Sequence, residues 1–546
     1  MHFTRLACRA LPVLCLLFSF LFSQAQNQTV TGKVINDADK KPIPGVTVTV
    51  KGTKTATVTN EDGSFTLKGL DPGATLQFTS VGFQTQEVSA SRAGIISLKS
   101  SEAIMSELVV VGYATQKKRD LTGAVSVVDV TKMNKQPSPS ISDQLQGQVA
   151  GVTITTSGSP GEPAKFRIRG FGSFGTSDPL FVVDGTQTTN INDINPNDIA
   201  TMQILKDAGA ASIYGSRASN GVVIITTKRG RGKTRIAYDA YYGTQRPKVN
   251  NPYHLLSPQD QANLKWMALR NTAEANGQQP VYADPIYGSG SQPVIPDYIL
   301  PFGKMEGDPA VNPSLYYVNP NYTDADDYGR FYQIIKANKA GTDWMGELFS
   351  PAPIQSHNLS ASGGGDQGSY LFSVNYFNQQ GALMNTYNKR YTVRSNSEYK
   401  FNNKVRIGEN LSYSITDNPR ITILSEGNPI SMAYRQQPII PVYDIMGNYA
   451  GTVGGKLGQA TNPIAERKRS VNNKGVSNRL FGNVYGEVDL LKSLTFRSSF
   501  GGEYYSFSGR WFNWPTYENA ENSQSNSYSE NAGTGFNWVW SNMLTF

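Results

Sequence analysis

The chain has 546 residues, 11% of them aromatic and 17% charged, with a formal net charge of +8. So little charge and so much buryable surface exclude a disordered polyampholyte, and the length suits about three or four ordinary domains. The basic excess is scattered, with Lys228-Arg229-Gly230-Arg231 the one tight cluster. A nucleic-acid binder concentrates its charge, so that class is set aside.

Residues 1–25 read as an export signal. Arg5 and Arg9 form a basic start, Ala10 to Phe22 is a 13-residue apolar run, and Ser23-Gln24-Ala25 offers small residues at a cleavage site. The run is too short to span a bilayer as a helix. Cys8 and Cys15 both lie inside it, so the mature chain is expected to have no disulfide, thiol nucleophile or Cys metal site. Cys15 follows Pro12-Val13-Leu14, not the small residues that precede an acylated cysteine. Of the later histidines, His254 and His357, neither belongs to an H-E-x-x-H pair, and two are too few for a zinc hydrolase. Each is read as an ordinary surface side chain. With no convergent carboxylate pair either, neither enzyme activity nor a cofactor is expected. No later apolar run approaches 18 residues, so the chain is either soluble or crosses a membrane as a β-barrel.

Residues 26–99 read as a small β-sandwich. Alternating runs such as Thr29–Ile35, Gly45–Lys51, Ser64–Leu67 and Thr75–Phe78 are separated by turn chemistry at Pro42–Gly45, Asn60–Gly63 and Asp71–Gly73. Asp62-Gly63 is read as a tight turn, not a calcium ligand. The order resembles the carboxypeptidase-regulatory-like domain, a seven-stranded accessory sandwich.

Residues 100–119 form a linker with one bare apolar strand, Glu107-Leu108-Val109-Val110-Val111-Gly112-Tyr113. Such a strand is either the edge of a neighbouring domain or is held for capture by a partner's sheet. Residues 120–232 read as a compact α/β unit. Leu121–Val130 and Val152–Thr156 are strand-like, Ser140–Val149 is a short amphipathic helix, and Pro179–Gly185 is a strand running into a turn. Pro196–Ala200 is expected to open a helix with Asn195 as N-cap, and Asn220-Gly221 to turn into the strand Val222–Lys228. Gly170-Phe171-Gly172-Ser173-Phe174-Gly175 spells G-x-G-x-x-G, but Pro179 and a strand follow it instead of a helix, so a dinucleotide site is rejected.

Three stretches in order, LVVVGYATQKKRDLTGAVSVV, FRIRGFGSFGTSDPLFVVDG and PNDIATMQILKDAGAASIYGSRASNGVVIITTKRG, resemble the plug of TonB-linked outer-membrane proteins of the SusC/RagA family. The preceding accessory sandwich is a hallmark of that family. The resemblance covers about residues 28–245 strongly, and the rest by pattern. It implies a plug inside a 22-stranded barrel and import of an oligosaccharide or peptide beneath a SusD-like lipoprotein lid, in the outer membrane. It makes TonB the partner of Glu107–Tyr113. The plug-motif residues it singles out for structure or gating are Arg167, Arg169, Gly170, Asp184, Gly185, Lys206, Asp207, Tyr214, Gly215, Arg217, Asn220 and Gly221.

From residue 233 onward the texture changes to long alternating segments. Tyr370, Phe372, Val374 and Tyr376 share one face and Ser369, Ser373 and Asn375 the other; Tyr391, Val393 and Tyr399 oppose Thr392, Arg394, Asn396 and Glu398. Later segments repeat this, broken by Glu409. Aromatic strand ends, one face for lipid and one for a polar lumen predict a transmembrane barrel. Eight strands of about ten residues are expected, near 235–245, 355–363, 369–379, 389–400, 404–417, 477–490, 493–506 and 534–546. If the first strand starts at the plug, every short turn falls on the periplasmic side, as barrels require. The outer segments 246–354 and 418–476 carry Tyr316, Tyr317, Tyr322 and Tyr328, read as packing the loop on itself, and the acidic stretch Asp324–Gly329. A lumen wide enough for a plug needs roughly 22 strands, so 233–546 is expected to be the first part of a longer barrel. The fold expected is therefore mainly β: sandwich, small α/β plug, then an incomplete antiparallel barrel. The function expected is a TonB-dependent importer. The alternatives are a surface adhesin or secreted binding protein, and a signalling receptor on the same barrel.

Overall fold

The computed structural model describes residues 28–546 apart from 38, 54, 72, 81–82, 100–107, 112–113, 118–123, 136–137, 139, 173–176, 249–253, 302–310, 319–330, 403, 420–425 and 454–455. The expected export signal, Glu107, Gly112, Tyr113, Tyr322, Tyr328 and Asp324–Gly329 lie outside the described residues. The chain divides into two compact units, Met1–Val111 with Thr115–Thr122, and Gly123–Phe546 with Gly112–Ala114.

The first unit is a sandwich of seven strands: β1 (Gln28–Asn36), β2 (Thr47–Val50), β3 (Ala56–Val58), β4 (Ser64–Leu70), β5 (Thr75–Thr79), β6 (Gln86–Ser89) and β7 (Ile95–Leu98). They form a β4-β1-β7 sheet and a β3-β2-β5-β6 sheet. Period-two alternation sends Val34, Val48, Leu76, Phe78 and Leu98 into one fully buried core. Asp62 accepts from the Ser64 amide and hydroxyl (3.1 and 2.7 Å), the bonding of a turn. Gly63 follows at φ +77°, where a Cβ would stand 2.6 Å from the Val34 carbonyl oxygen. Beyond the sandwich, β8 (Leu108–Val111) pairs with β9 (Ala114–Lys117) as a two-stranded ribbon. The expected strand is thus present but not bare: one of its edges is taken by the polar run that follows it.

The second unit begins with the plug. Its strands are β10 (Val125–Val128), β11 (Val152–Thr155), β12 (Lys165–Ile168), β13 (Leu180–Val183), β14 (Thr186–Thr188), β15 (Ile199–Leu205) and β16 (Val222–Thr227). Five of them make a sheet in the order β10-β15-β16-β13-β14, while β11 and β12 pair separately. The helix expected at Pro196 is a single 3₁₀ turn, Pro196–Asp198, although Asn195 does cap it. The chain then extends as β15, because Ile199, Met202, Ile204 and Leu205 are buried in the middle of the sheet. The helix expected over Ser140–Val149 is limited to Ile141–Leu145, with Ser140 accepting from the Asp143 amide.

The rest of the unit is a wall. β17 (Arg235–Gln245) leads into a long excursion with the short strands β18 (Ala283–Asp284), β19 (Gly288–Ser289), β20 (Tyr298–Ile299) and β21 (Ile335–Lys336). Then follow β22 (Ala352–Gly365), β23 (Gly368–Gln380), β24 (Tyr387–Phe401), β25 (Val405–Asp417), β26 (Lys474–Leu491), β27 (Leu494–Asn513) and β28 (Ser527–Thr545). β17 and β22–β28 form one open eight-stranded sheet in chain order, antiparallel throughout. All eight expected strands are there, but they run from 11 to 20 residues, not about ten. The β22–β23, β24–β25 and β26–β27 turns are short and lie at the end where the plug chain enters β17.

At the opposite end, the described residues of 246–351, 381–386 and 418–473 build a cap with its own core, including Trp266, Tyr287, Ile299, Ile335, Trp344, Leu383, Ile439 and Leu457. Tyr316 packs the cap on itself by donating to Asp444 (2.6 Å), and Tyr317 bridges to Tyr332. The outer connection 514–526 is tied in by Arg469, whose guanidinium binds both oxygens of buried Glu518 (2.6 and 3.1 Å). That guanidinium lies 5.2 Å from the Tyr449 ring centroid and 5.7 Å from that of Tyr517.

Candidate functional site

The two faces of the wall are solvated in opposite senses. Val374 and Val393 are 55% and 51% exposed, whereas their sequence neighbours Asn375 and Arg394 are each 2% exposed. The apolar face points away from the plug and the polar face is buried against it, the arrangement of a barrel with lipid outside and a filled lumen. His357, read as an ordinary surface side chain, stands on the outward face. It stacks between Tyr238 and Tyr376 and shares a 2.7 Å hydrogen bond with the Tyr238 hydroxyl through Nδ1.

The inward face holds the plug with ions and amides. Arg479 Nη1 donates to both oxygens of Asp193 (2.7 and 2.9 Å), Nη2 to Thr188 and Glu503 (both 2.6 Å), and Nε to Glu503 (2.9 Å). Arg394 reaches Asp184 at 3.8 Å and Asp198 at 3.6 Å, all of them buried. Arg390 donates to the Asn192 carbonyl. Asn483 donates to the Asp184 carbonyl (2.7 Å) and to Thr186, and Asn396 to Thr227 (2.7 Å) and the Lys228 carbonyl. Phe481 enters the plug's apolar core. Where the chain leaves the plug, Arg229 donates to Glu398 (3.2 Å) and to the Tyr485 hydroxyl (3.1 Å).

The plug-motif residues fall into separate groups. Arg169 pairs with Asp207, which also accepts from the Ala124 amide (2.6 Å), and Lys206 donates to the Ala150 carbonyl. Those contacts hold the Asp207 carboxyl below its ordinary pKa, the Ala124 amide foremost. Arg167 lies over the Phe171 ring at 4.2 Å. Asp184 belongs to a different group: at φ +49° it accepts from the Thr227 amide and hydroxyl (2.9 and 2.6 Å) and faces Arg394. Gly170, Gly185, Gly215 and Gly221 all have positive φ, Asn220 donates to the Asp178 carbonyl, Arg217 to Gln187, and Tyr214 is buried.

Above the plug, on the side of the long connections, lies a cavity of about 530 Å³. Asn190 and Asp193 of the plug form part of its lining, with Arg479, Tyr505, Phe507 and Trp511 from the wall. A second cavity of about 350 Å³ adjoins it and shares Gly161, Asn190, Asp193, Thr416 and Ser477, adding Arg390, Asn388 and Gln379. Two arginines, Arg479 and Arg390, stand among four carboxylates, Asp193, Glu503, Asp143 and Glu162, and amides, hydroxyls and open aromatic surface complete the lining.

Residues 117–222 match the TonB-dependent Receptor Plug Domain family and residues 30–111 the CarboxypepD_reg-like domain family. TonB-dependent receptor P3 of Formosa agariphila is 30% identical over 506 residues, which is 89% of this chain and 43% of that protein. TonB-dependent receptor SusC of Bacteroides thetaiotaomicron is 28% identical over 546 residues, 91% of this chain and 48% of that protein. The RagAB peptide importer in its open-open state superposes with a TM-score of 0.61 at 27% identity, covering 80% of this chain and 46% of that one.

This is a SusC/RagA-type TonB-dependent receptor chain. It spans just under half the length of the curated relatives it matches. In this SusC/RagA-type chain the plug carboxylates facing the wall differ in character. Burial pushes Asp193 up, but Arg479 more than offsets it and holds the group below the ordinary carboxylate range. Burial raises Asp198, and Arg394 opposes that only in part. Sequence reasoning placed Arg394 on the polar face but gave no role to it or to Asp193, Arg390, Arg479 and Glu503. The signal available was parity: each wall arginine sits at an inward position of an alternating strand.

Proposed function

We propose that the protein is an outer-membrane importer whose plug closes a lumen and whose cavity above the plug takes the substrate. The observation that carries this reading is the plug seated by buried ion pairs on the polar face of a wall whose other face is apolar and exposed. Closed into a barrel, such a wall would satisfy its backbone internally and suit a bilayer. The lining of Asn190, Ser414, Asn418, Tyr505, Phe507 and Trp511 favours a hydroxyl-rich or amide-rich ligand, an oligosaccharide or peptide. The relatives' names support TonB as the source of energy. Leu108–Val111 is the segment for it: its second edge pairs with no strand among the described residues and would accept a further one by main-chain pairing. A SusD-like lipoprotein lid would rest on the cap. The plug groups Arg169–Asp207 and Asp184–Arg394 are the contacts that gating must rearrange.

The test is fractionation followed by uptake. The protein should be recovered in outer membranes, and uptake of its oligosaccharide or peptide should require TonB. Recovery as a soluble secreted protein would overturn the importer reading in favour of an adhesin. Membrane recovery with TonB-independent uptake would overturn the energy assignment alone.

A further inference from the structure

The three last strands of the wall are longer than a bilayer needs. β26, β27 and β28 have 18, 20 and 19 residues, whereas about 9–11 tilted residues cross the hydrocarbon. On their outward face the apolar band ends at Leu480, Tyr504 and Phe536, which are 43%, 45% and 60% exposed. β26 and β27 then run on for roughly 20 Å to Lys474 and Arg510, at 3.3 Å per residue. These two residues are direct partners across the ladder, and the period of two puts them on the same face as Leu480 and Tyr504. At the usual barrel tilt of 35–45° that is about 15 Å of height above the apolar band.

The charges on this extension are left open. Lys474 and Arg510 are exposed, and neither side chain has an ion-pair partner among the described residues. Lys389 of β24 lies on the same outward face, just above Tyr391. Its ammonium stands 5.2 Å from the Tyr387 ring centroid, and it too has no ion-pair partner among the described residues. Two carboxylates share the band, but each is engaged by a tyrosine hydroxyl: Tyr387 donates to Asp417 (3.0 Å), and Tyr528 donates to Glu530. Three cations therefore face outward with no counter-ion. β24 to β27 are successive neighbours in the sheet, so at about 4.8 Å per strand the three span roughly 14 Å. That spread suits a group carrying more than one anionic centre.

Aromatic side chains edge the same surface. Phe512 stacks on Trp514 (centroids 6.4 Å apart) and leans on Tyr528 (4.8 Å). Trp514 and Tyr528 are 42% and 50% exposed, as amphipathic rings are at head-group level. A lipid with a plain phosphate head group keeps its phosphate beside the apolar band. Reaching both Lys389 and the Lys474–Arg510 pair requires a taller head group, one built of sugars and bearing phosphates at more than one height.

We propose that this outward surface binds a phosphorylated glycolipid of the outer leaflet, its phosphates held by Lys389, Lys474 and Arg510 and its acyl chains lying on the apolar band below. The proposal rests on the reading of the wall as membrane-spanning. The site is on the opposite face of the wall from the plug and the cavities above it.

The test uses the full chain purified in detergent, with bound lipid read by native mass spectrometry. The probe is a rough lipopolysaccharide with a phosphorylated core; the same molecule after enzymatic dephosphorylation and phosphatidylglycerol are the comparisons. The phosphorylated glycolipid is expected to bind, and either comparison lipid should bind at least tenfold more weakly. Lys474→Ser/Arg510→Ser should weaken binding of the glycolipid at least tenfold while the protein melts at an unchanged temperature, because both side chains are exposed and unpaired. Lys389→Ser should weaken it as well. Lys492→Ser, which removes an exposed lysine from the β26–β27 turn at the opposite end of the wall, should leave binding unchanged. Equal binding of the dephosphorylated lipid or of phosphatidylglycerol, full binding by the double variant, or an equal loss with Lys492→Ser would overturn the proposal. Neither fractionation nor uptake is read in this assay, so any of those results leaves the importer reading standing.

Discussion

Arg479→Met is the sharpest perturbation of the plug–wall contact. The wild-type guanidinium satisfies Asp193, Glu503 and Thr188 at 2.6–2.9 Å, and its carboxylate partners are 13% and 15% exposed. Methionine removes the guanidinium, which lies 4.6 Å over the Phe481 ring, and strands the two carboxylates it held. Removing one partner of a buried ion pair costs about 3–5 kcal/mol. At about 1.4 kcal/mol per decade, the opening equilibrium of the plug segment should rise roughly a hundred- to several-thousand-fold. Hydrogen exchange of the amides from Thr186 to Asp193 in the detergent-purified protein reads this directly, since protection falls by the same factor. The double variant Arg479→Met/Asp193→Asn should regain part of the loss, because one stranded charge is gone. pH gives a second reading with a definite sign. Arg479 lowers the Asp193 pKa, so that stabilisation is fully present above the ordinary value of 3.8 and is lost as the pH falls through the lower folded value. Arg479→Met should abolish this acid-dependent loosening. Protection unchanged within about twofold would refute the view that the pair holds the plug.

Val393→Arg puts a charge on the outward face and should cost about 2–4 kcal/mol of folding in membranes, seen as a smaller membrane-inserted fraction. Gly221→Ala should destabilise the plug by about 1–3 kcal/mol, read by proteolysis of the plug. Its φ of +90° suits glycine, and a Cβ would lie 2.7 Å from Ile168 Cδ1 and 3.0 Å from the Leu205 carbonyl oxygen. Val110→Pro removes a backbone donor from β8 and should abolish uptake while barrel insertion and ligand binding persist; normal uptake would make that strand merely structural.

The wall was legible because a barrel strand is solvated differently on its two sides over its whole apolar span. Tyr391 and Val393 against Thr392 and Arg394 show that contrast residue by residue. The outer halves of the strands were not legible: beyond Leu480 and Tyr504 the outward pair becomes Asn478 and Ser506, and the aromatic set passes to the other face at Tyr505 and Phe507, so alternation no longer marks the lipid side there. β15 was missed because Asn195-Pro196 specifies a turn whether a helix or a strand follows, and only burial of Met202 and Ile204 between β10 and β16 decides. The cap core escaped notice for a different reason. Trp266, Tyr287, Trp344 and Ile439 come from distant segments with no common period, so no window of sequence contains it. The candidate site was half legible: Asp184 and Asp207 were picked out, but the wall partner of Asp184, Arg394, and the Arg479 cluster depend on strand register.

The Arg469–Glu518 clamp joins two outer segments that are separated by a complete hairpin of the wall. Its acceptor is buried, so a transplanted segment 418–473 that lacked the arginine would leave Glu518 without its counter-ion, and a transplanted 514–526 without the glutamate would strand the arginine between two tyrosines. Chimeras that exchange substrate preference between receptors of this type should therefore move both segments together, and natural divergence in one should be matched by compensating change in the other.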